Sequence, residues 1–186
     1  MSGAALACFI SYHGFGHASR TLAVLAELRK RKPDLHFRIF STVPHWFLRE
    51  NLDPQSFHHH EIAVDVGLVQ TNPFQHDPRA TLKRLDEFLP FREATLNSVA
   101  ETLRETSCSA VLCDVSPLGI AAAKGAGIPS ILLENFTWDW MYEEYLDEFP
   151  SFSKKIDILR SHYTQADLRL QTEPVCNPLP EAIRIP

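Results

Sequence analysis

The sequence opens with a strand–turn–helix unit, and this unit constrains the fold more than any other feature. Residues 6–11 form a short apolar run, and two glycines, Gly14 and Gly16, come shortly after it. Such a run is typical of a strand buried on both faces of a parallel sheet. Residues 18–31 carry apolar side chains at helical spacing and end in basic residues, as a helix dipole favours.

The same alternation continues along the chain. After the first unit we predict strands at residues 36–41, 57–64, 110–113, 129–133 and 168–171. We predict helices at residues 44–51, 79–106 with a kink or break near Pro90, 117–125, 138–149 and 153–165, and a turn-rich loop at 65–78. Strands that alternate with helices predict an α/β fold, a Rossmann-like parallel sheet with helices on both faces.

Length and proline content suggest how the domain is organised. The chain has 186 residues, enough for one domain with a substantial core. We assign residues 1–172 to that domain. Residues 173–186 contain four prolines, which are hard to place in a regular element, so we interpret them as a linker toward a further, C-terminal domain.

Composition narrows the classes of partner and compartment. The net charge of −5 makes binding to nucleic acid or to an anionic membrane through the overall field a poor expectation. No stretch approaches the roughly 20 apolar residues of a membrane span, and the apolar run at 4–10 is too short for a signal peptide. None of the four cysteines forms a C-x-x-C pair, so we expect free thiols and a cytoplasmic location.

The glycine turn is the first candidate binding site. Glycines allow positive φ and close approach of a ligand to the backbone, and the N–H groups that begin a helix favour phosphate. A dinucleotide site would need a third glycine where Ser19 stands and an acidic residue where the second strand ends at Ser41. Both are missing, which disfavours a nicotinamide-dependent oxidoreductase. We expect no cofactor.

His17 directly follows the glycine turn, where an imidazole could act as a general base. The alternative is a histidine that only packs or caps the loop, and His13 is a second candidate for contact with a ligand. Asp114 ends a predicted strand and could meet His17 at the carboxyl edge of the sheet. It could equally cap the next helix, in competition with Ser116. Spacing alone leaves these readings open.

Two further groups of residues could bind ligands. Asn135, Phe136, Trp138 and Asp139 follow a predicted strand, where rings and carboxylates suit a sugar, although aromatic packing in the core explains them equally well. His58, His59 and His60 alternate faces on a predicted strand, so they converge poorly on a metal ion and we predict no metal site. The phosphate-binding loop G-x-x-x-x-G-K-[ST] is also missing.

Residues 14–20, Gly-Phe-Gly-His-Ala-Ser-Arg, resemble the glycine-rich loop of GT-B glycosyltransferases. They are most similar to the N-terminal, glycosyltransferase-like domain of plant L-arabinokinases and related bacterial proteins, although Ser19 replaces a threonine of that pattern. The likeness extends to residues 65–67, 113–117 and 135–145, and so covers nearly the whole chain.

This resemblance implies the N-terminal half of a GT-B fold, in which His17 deprotonates an acceptor hydroxyl and Asp114 supports it. It implies a nucleotide-sugar donor, a hydroxyl acceptor and a C-terminal domain that binds the donor. Nothing in the chain resembles a kinase ATP site, so we do not expect sugar kinase activity. The alternative function is a non-catalytic module that binds a sugar or nucleotide sugar, or that regulates an attached enzyme. The residues that we expect to contact substrates are His13, Gly14, Phe15, Gly16, Ser19, Arg20, Asp65, Asn135, Trp138 and Asp139.

Overall fold

The computed structural model describes residues 5–72 and 74–185, and its centre is a parallel sheet of seven strands. Outside the described residues lie residues 1–4 of the predicted domain, residue 73 of the predicted loop and residue 186 of the predicted linker. The sheet has the order β3-β2-β1-β6-β7-β8-β9, and a two-stranded antiparallel ribbon, β4–β5, stands apart from it. The strands are β1 (Ala5–Ile10), β2 (His36–Ser41), β3 (Phe57–Glu61), β4 (Gln70–Asn72), β5 (Gln75–His76), β6 (Cys108–Asp114), β7 (Ser130–Glu134), β8 (Leu168–Thr172) and β9 (Ile183–Ile185).

Helices cover both faces of the sheet, as predicted. Because neighbouring residues of a strand point to opposite faces, Phe9 and Ile10 of β1 enter two different cores. Phe9 packs with Leu103 and Ile156 on one face, and Ile10 packs with Leu22 on the other. The helices are α1 (Phe15–Arg31), α2 (His45–Asn51), α3 (Pro78–Phe88), α4 (Glu93–Glu105), α5 (Pro117–Ala126), α6 (Trp138–Tyr142) and α7 (Phe152–Tyr163).

Several predicted bounds differ from the structure. The expected long helix is broken around Pro90 into α3 and α4, which is the break that the proline predicted. The predicted third strand ends at Glu61 rather than at residue 64, and the loop at 65–78 contains the β4–β5 ribbon. The helix expected at 138–149 is shorter, because α6 passes into a 3-10 turn at Glu143–Tyr145.

The proline-rich segment at residues 173–186, which we interpret as a linker toward a further domain, contains a regular element near its end. Its last described residues, Ile183–Ile185, form β9 and pair in parallel with β8. Pro174, Pro178 and Pro180 all precede β9, so none of them removes a donor from the ladder. Across residues 5–72 and 74–185, no helix combines the length and apolar character that crossing a bilayer requires.

Candidate active site

The sheet places two strand ends side by side at its centre. From β1 the strand order runs outward through β2 to β3, and from β6 it runs the other way to β9. Ligands of open α/β sheets bind beyond the carboxyl ends of the strands at such a switch point. The loop after β1 leads into α1 here, and it turns at Gly14, whose φ of 82° and ψ of 169° suit glycine alone.

His17 and Asp114 meet at this point. Nδ1 of His17, in the first turn of α1, lies 2.8 Å from Oδ1 of Asp114, the last residue of β6. Because a carboxylate only accepts, Nδ1 carries the proton and donates it, and the lone pair is on Nε2. Within the described part of the chain Nε2 has no hydrogen-bond partner. Phe136 contacts the imidazole edge to face and holds the ring.

Asp114 is fully buried and is surrounded by donors. Besides His17, it accepts from Arg20 Nε at 3.1 Å and Arg20 Nη2, and from Thr21 Oγ1 at 2.6 Å. Burial raises the pKa of this carboxyl, but hydrogen bonds and charges from His17 and Arg20 lower it further than burial raises it, so the net pKa is below its ordinary value. Asp114 is therefore ionised at neutral pH, and Ser116 caps α5 in its place.

Arg20 connects this pair to two further strand ends. Its Nη1 donates to Asn135 Oδ1 at 3.1 Å, just beyond β7, and to Thr172 Oγ1 at 2.9 Å, the last residue of β8. One guanidinium group thus links α1 to the ends of three parallel strands.

A cavity of about 540 Å³ lies beside the imidazole. Five of the residues that we predicted as site residues line it: His13, Gly16, His17, Arg20 and Asn135. The other residues that line the cavity were not among the predicted site residues, although the sequence analysis named Phe136 as a possible ligand contact. Thr172 could have been found, because it directly follows a predicted strand, whereas Pro174 and Ile185 fell in the predicted linker. The remaining wall is formed by Val24, Leu133, Phe136, Thr172, Glu173, Pro174 and Ile185.

Asp65 and Trp138 lie behind His13 and support the loop. Trp138 is 1% exposed, its Nε1 donates to Asp65 Oδ2 at 2.8 Å, and its ring contacts His13. Enclosure away from water raises the pKa of Asp65, although hydrogen bonds from Ser11 and Trp138 partly offset it. Burial, together with the nearby His17 and His76, lowers the pKa of His13. His13 is thus neutral at pH 7, and it packs against Gly67, where a Cβ would come within 2.6 Å of its ring.

The other predicted contact residues lie outside the cavity. Gly14 forms the turn itself, and Ser19 faces solvent on α1. Phe15 is 40% exposed and packs on Phe47, on the side of α1 that faces α2. Asp139 borders a separate pocket, where Arg160 approaches it at 3.3 Å.

The three consecutive histidines lie on β3, at an edge of the sheet. His59 Nε2 contacts the carbonyl of Ser41, and His60 stacks on Phe40 with its ring centroid 4.4 Å away. Across residues 5–72 and 74–185, no three histidine, cysteine or acidic side chains are grouped as metal ligands. Cys8, Cys108, Cys113 and Cys176 are free thiols.

Solved structures define the class of fold. MurG from Acinetobacter baumannii matches with a TM-score of 0.56 at 15% identity, over 97% of this chain and 45% of that chain. UGT2 from Phytolacca americana, complexed with UDP-2fluoro-glucose and pterostilbene, matches with a TM-score of 0.57 at 14% identity, over 100% of this chain and 54% of that one. The fold is that of one Rossmann-like half of a GT-B glycosyltransferase, and the chain spans about half the length of these structures.

In sequence, the chain is similar to L-arabinokinase from Arabidopsis thaliana. The two are 30% identical over 142 residues, which are 75% of this chain and 13% of that protein. No family model matches the chain. The expected resemblance to L-arabinokinase and to GT-B glycosyltransferases is confirmed.

Proposed function

We propose that this domain forms the acceptor side of a nucleotide-sugar-dependent glycosyltransferase, in which His17 is the general base. One observation carries the proposal. Nδ1 of His17 is held by an ionised, buried Asp114, and Nε2 is left as the nitrogen available to a ligand in the adjoining cavity. A base histidine needs this arrangement, because its partner fixes the tautomer and stabilises the cation that forms.

In the proposed reaction, an acceptor hydroxyl in the cavity donates its proton to Nε2 of His17. Its oxygen attacks the anomeric carbon of the donor as the bond from that carbon to the nucleotide's phosphate oxygen breaks. Attack opposite the leaving group inverts the configuration, and the nucleoside diphosphate departs with the bond electrons. The UDP-sugar analogue in the UGT2 complex supports a uridine nucleotide sugar as the donor class. A second Rossmann-like domain would bind most of that donor, while the loop amide of Gly16, which lines the cavity, contacts a substrate oxygen.

The test compares His17→Gln with the parent in the natural full-length protein. UDP-sugars are offered with hydroxyl acceptors, and the product is identified by mass spectrometry and its anomeric configuration by NMR. We expect kcat to fall about 100-fold or more, because general base catalysis contributes that much. His36→Gln is the control, since His36 is exposed at the start of β2, at the opposite end of that strand. Transfer by His17→Gln at the parent rate would exclude the assigned role.

A second candidate is a module that binds a nucleotide sugar without chemistry and regulates an attached enzyme. It is favoured by the similarity to a small part of a protein that is named as a kinase. Calorimetric titration of the full-length protein with UDP-sugars separates the two candidates. Binding without release of UDP, across all acceptors offered, would favour the module over the transferase.

A further inference from the structure

Arg20 lines the cavity, but the protein itself occupies its guanidinium group. An arginine carries five N–H donors. Nε donates to Asp114 Oδ2, one Nη2 hydrogen points to Asp114 Oδ1, and the two Nη1 hydrogens serve Asn135 and Thr172. The fifth lies on Nη2, which is 3.3 Å from Nδ1 of His17. Little donor capacity therefore remains for a substrate.

The short separation between Arg20 and His17 has a geometric cause. Nδ1 of His17 and Nη2 of Arg20 both approach Oδ1 of Asp114, and two donors that share one acceptor atom must lie close to each other. The contacts to Oδ1 are shorter than the 3.3 Å contact between the two nitrogens. The carboxylate therefore determines the tautomer, and the guanidinium determines where that carboxylate lies.

We propose that Arg20 is a positioning residue, which fixes Asp114 so that the imidazole of His17 carries its proton on Nδ1 and its lone pair on Nε2. The kinetic part of this inference rests on the function proposed above, whereas the part on the tautomer does not depend on turnover. Lysine cannot substitute, because one ammonium group cannot reach both Asp114 oxygens, Asn135 and Thr172 together.

The first test is nitrogen-15 NMR of the His17 ring in the 186-residue chain. In the neutral ring of the parent, the shifts should report a proton on Nδ1 and none on Nε2. In Arg20→Gln, the neutral ring should show a mixture of the two tautomers, because Asp114 is no longer fixed against Nδ1. Arg29→Gln is the matched control, since Arg29 lies on the same helix but bonds to Leu35 and Asp53.

A single Nδ1–H tautomer in Arg20→Gln, as in the parent, would overturn the inference. If that variant does not fold, Arg20→Lys serves instead, because it keeps the charge on α1 while losing the bidentate contact. In Arg20→Lys we expect the ring signals to show a mixture of tautomers, and a single Nδ1–H tautomer would equally overturn the inference.

The second test measures transfer by the full-length protein. Arg20→Gln should lower kcat by about 10-fold to 100-fold and leave KM for the donor within about twofold. Free guanidinium ion should restore part of the rate in Arg20→Ala. A parent-like kcat in Arg20→Gln would contradict the inference. Full activity of His17→Gln would instead reject the proposed function, while the NMR result would still decide on Arg20.

Discussion

At the scale of single residues, the two glycines of the loop meet different requirements. Gly14 has φ of 82° and open space around it, so only its backbone conformation excludes other residues. Gly16 lies within the first turn of α1, and a Cβ there would also meet nothing within 4 Å. The motif Gly-Phe-Gly therefore combines one glycine that the turn needs with one that leaves room in the cavity.

Alanine at these two positions should change stability in opposite directions. Gly14→Ala should lower the free energy of unfolding by about 1–3 kcal/mol, because its backbone conformation is nearly exclusive to glycine. Gly16→Ala should raise it by about 0.5 kcal/mol, because alanine favours a helix. Urea denaturation of both variants and the parent measures the difference. Equal losses in the two variants would show that crowding, and not backbone conformation, determines the effect.

At the scale of elements, the sequence predicted the strands that a continuous run of apolar residues identifies. The strands β1, β6 and β7 are apolar runs, and their bounds differ from prediction by a residue or two. The ribbon strand β4 is exposed at every residue, so hydrophobic periodicity could not reveal it. Strand β9 has only three residues, too few to show a periodic apolar pattern, and the prolines before it favoured an irregular segment.

The candidate site shows the same limit. The contact between His17 and Asp114 was predictable, because both follow from where parallel strands end. Whether Arg20 points into the cavity or onto Asp114 depends on how α1 packs across the sheet, which spacing along the chain does not determine. Trp138 was ambiguous for the same reason, since burial depends on its neighbours and not on its own identity.

Helix α5 offers a test of capping at the element scale. Ser116 is buried, accepts from the N–H of Gly119 at 3.1 Å and donates to the carbonyl of Val64. Ser116→Ala should lower the free energy of unfolding by about 1–2 kcal/mol, because it removes the cap and leaves a buried carbonyl unpaired. The matched control is Ser151→Ala, since Ser151 precedes α7 without a capping hydrogen bond. A similar loss in both variants, measured by thermal and urea unfolding, would contradict this explanation.

At the scale of the whole molecule, Asp114 couples stability to pH. Its pKa is lower in the folded chain than in the unfolded chain, so it stabilises the fold above the unfolded value and loses that effect as pH falls through the folded one. Asp114→Asn should lower the free energy of unfolding by about 3–5 kcal/mol at neutral pH, because Arg20 loses its buried counterion.

The difference in the free energy of unfolding between the parent and Asp114→Asn should therefore become smaller as pH falls below about 4, because Asp114 of the unfolded chain takes up its proton there. Urea unfolding at several values between about pH 3 and pH 7 measures it. Asp34→Asn, at an exposed position, is the control, and its free energy of unfolding should equal that of the parent at every pH. A constant difference across this range would mean that the ionised carboxylate is not the source of the stability.

The switch point at the centre of the sheet also has a consequence for folding kinetics. His17 and Asp114 are 97 residues apart in sequence, and β1 pairs directly with β6 although the two strands are far apart along the chain. Closing so long a loop costs entropy before any contact between them forms. The pair should therefore assemble late, so a refolding chain would acquire most of its helices before it acquires the site.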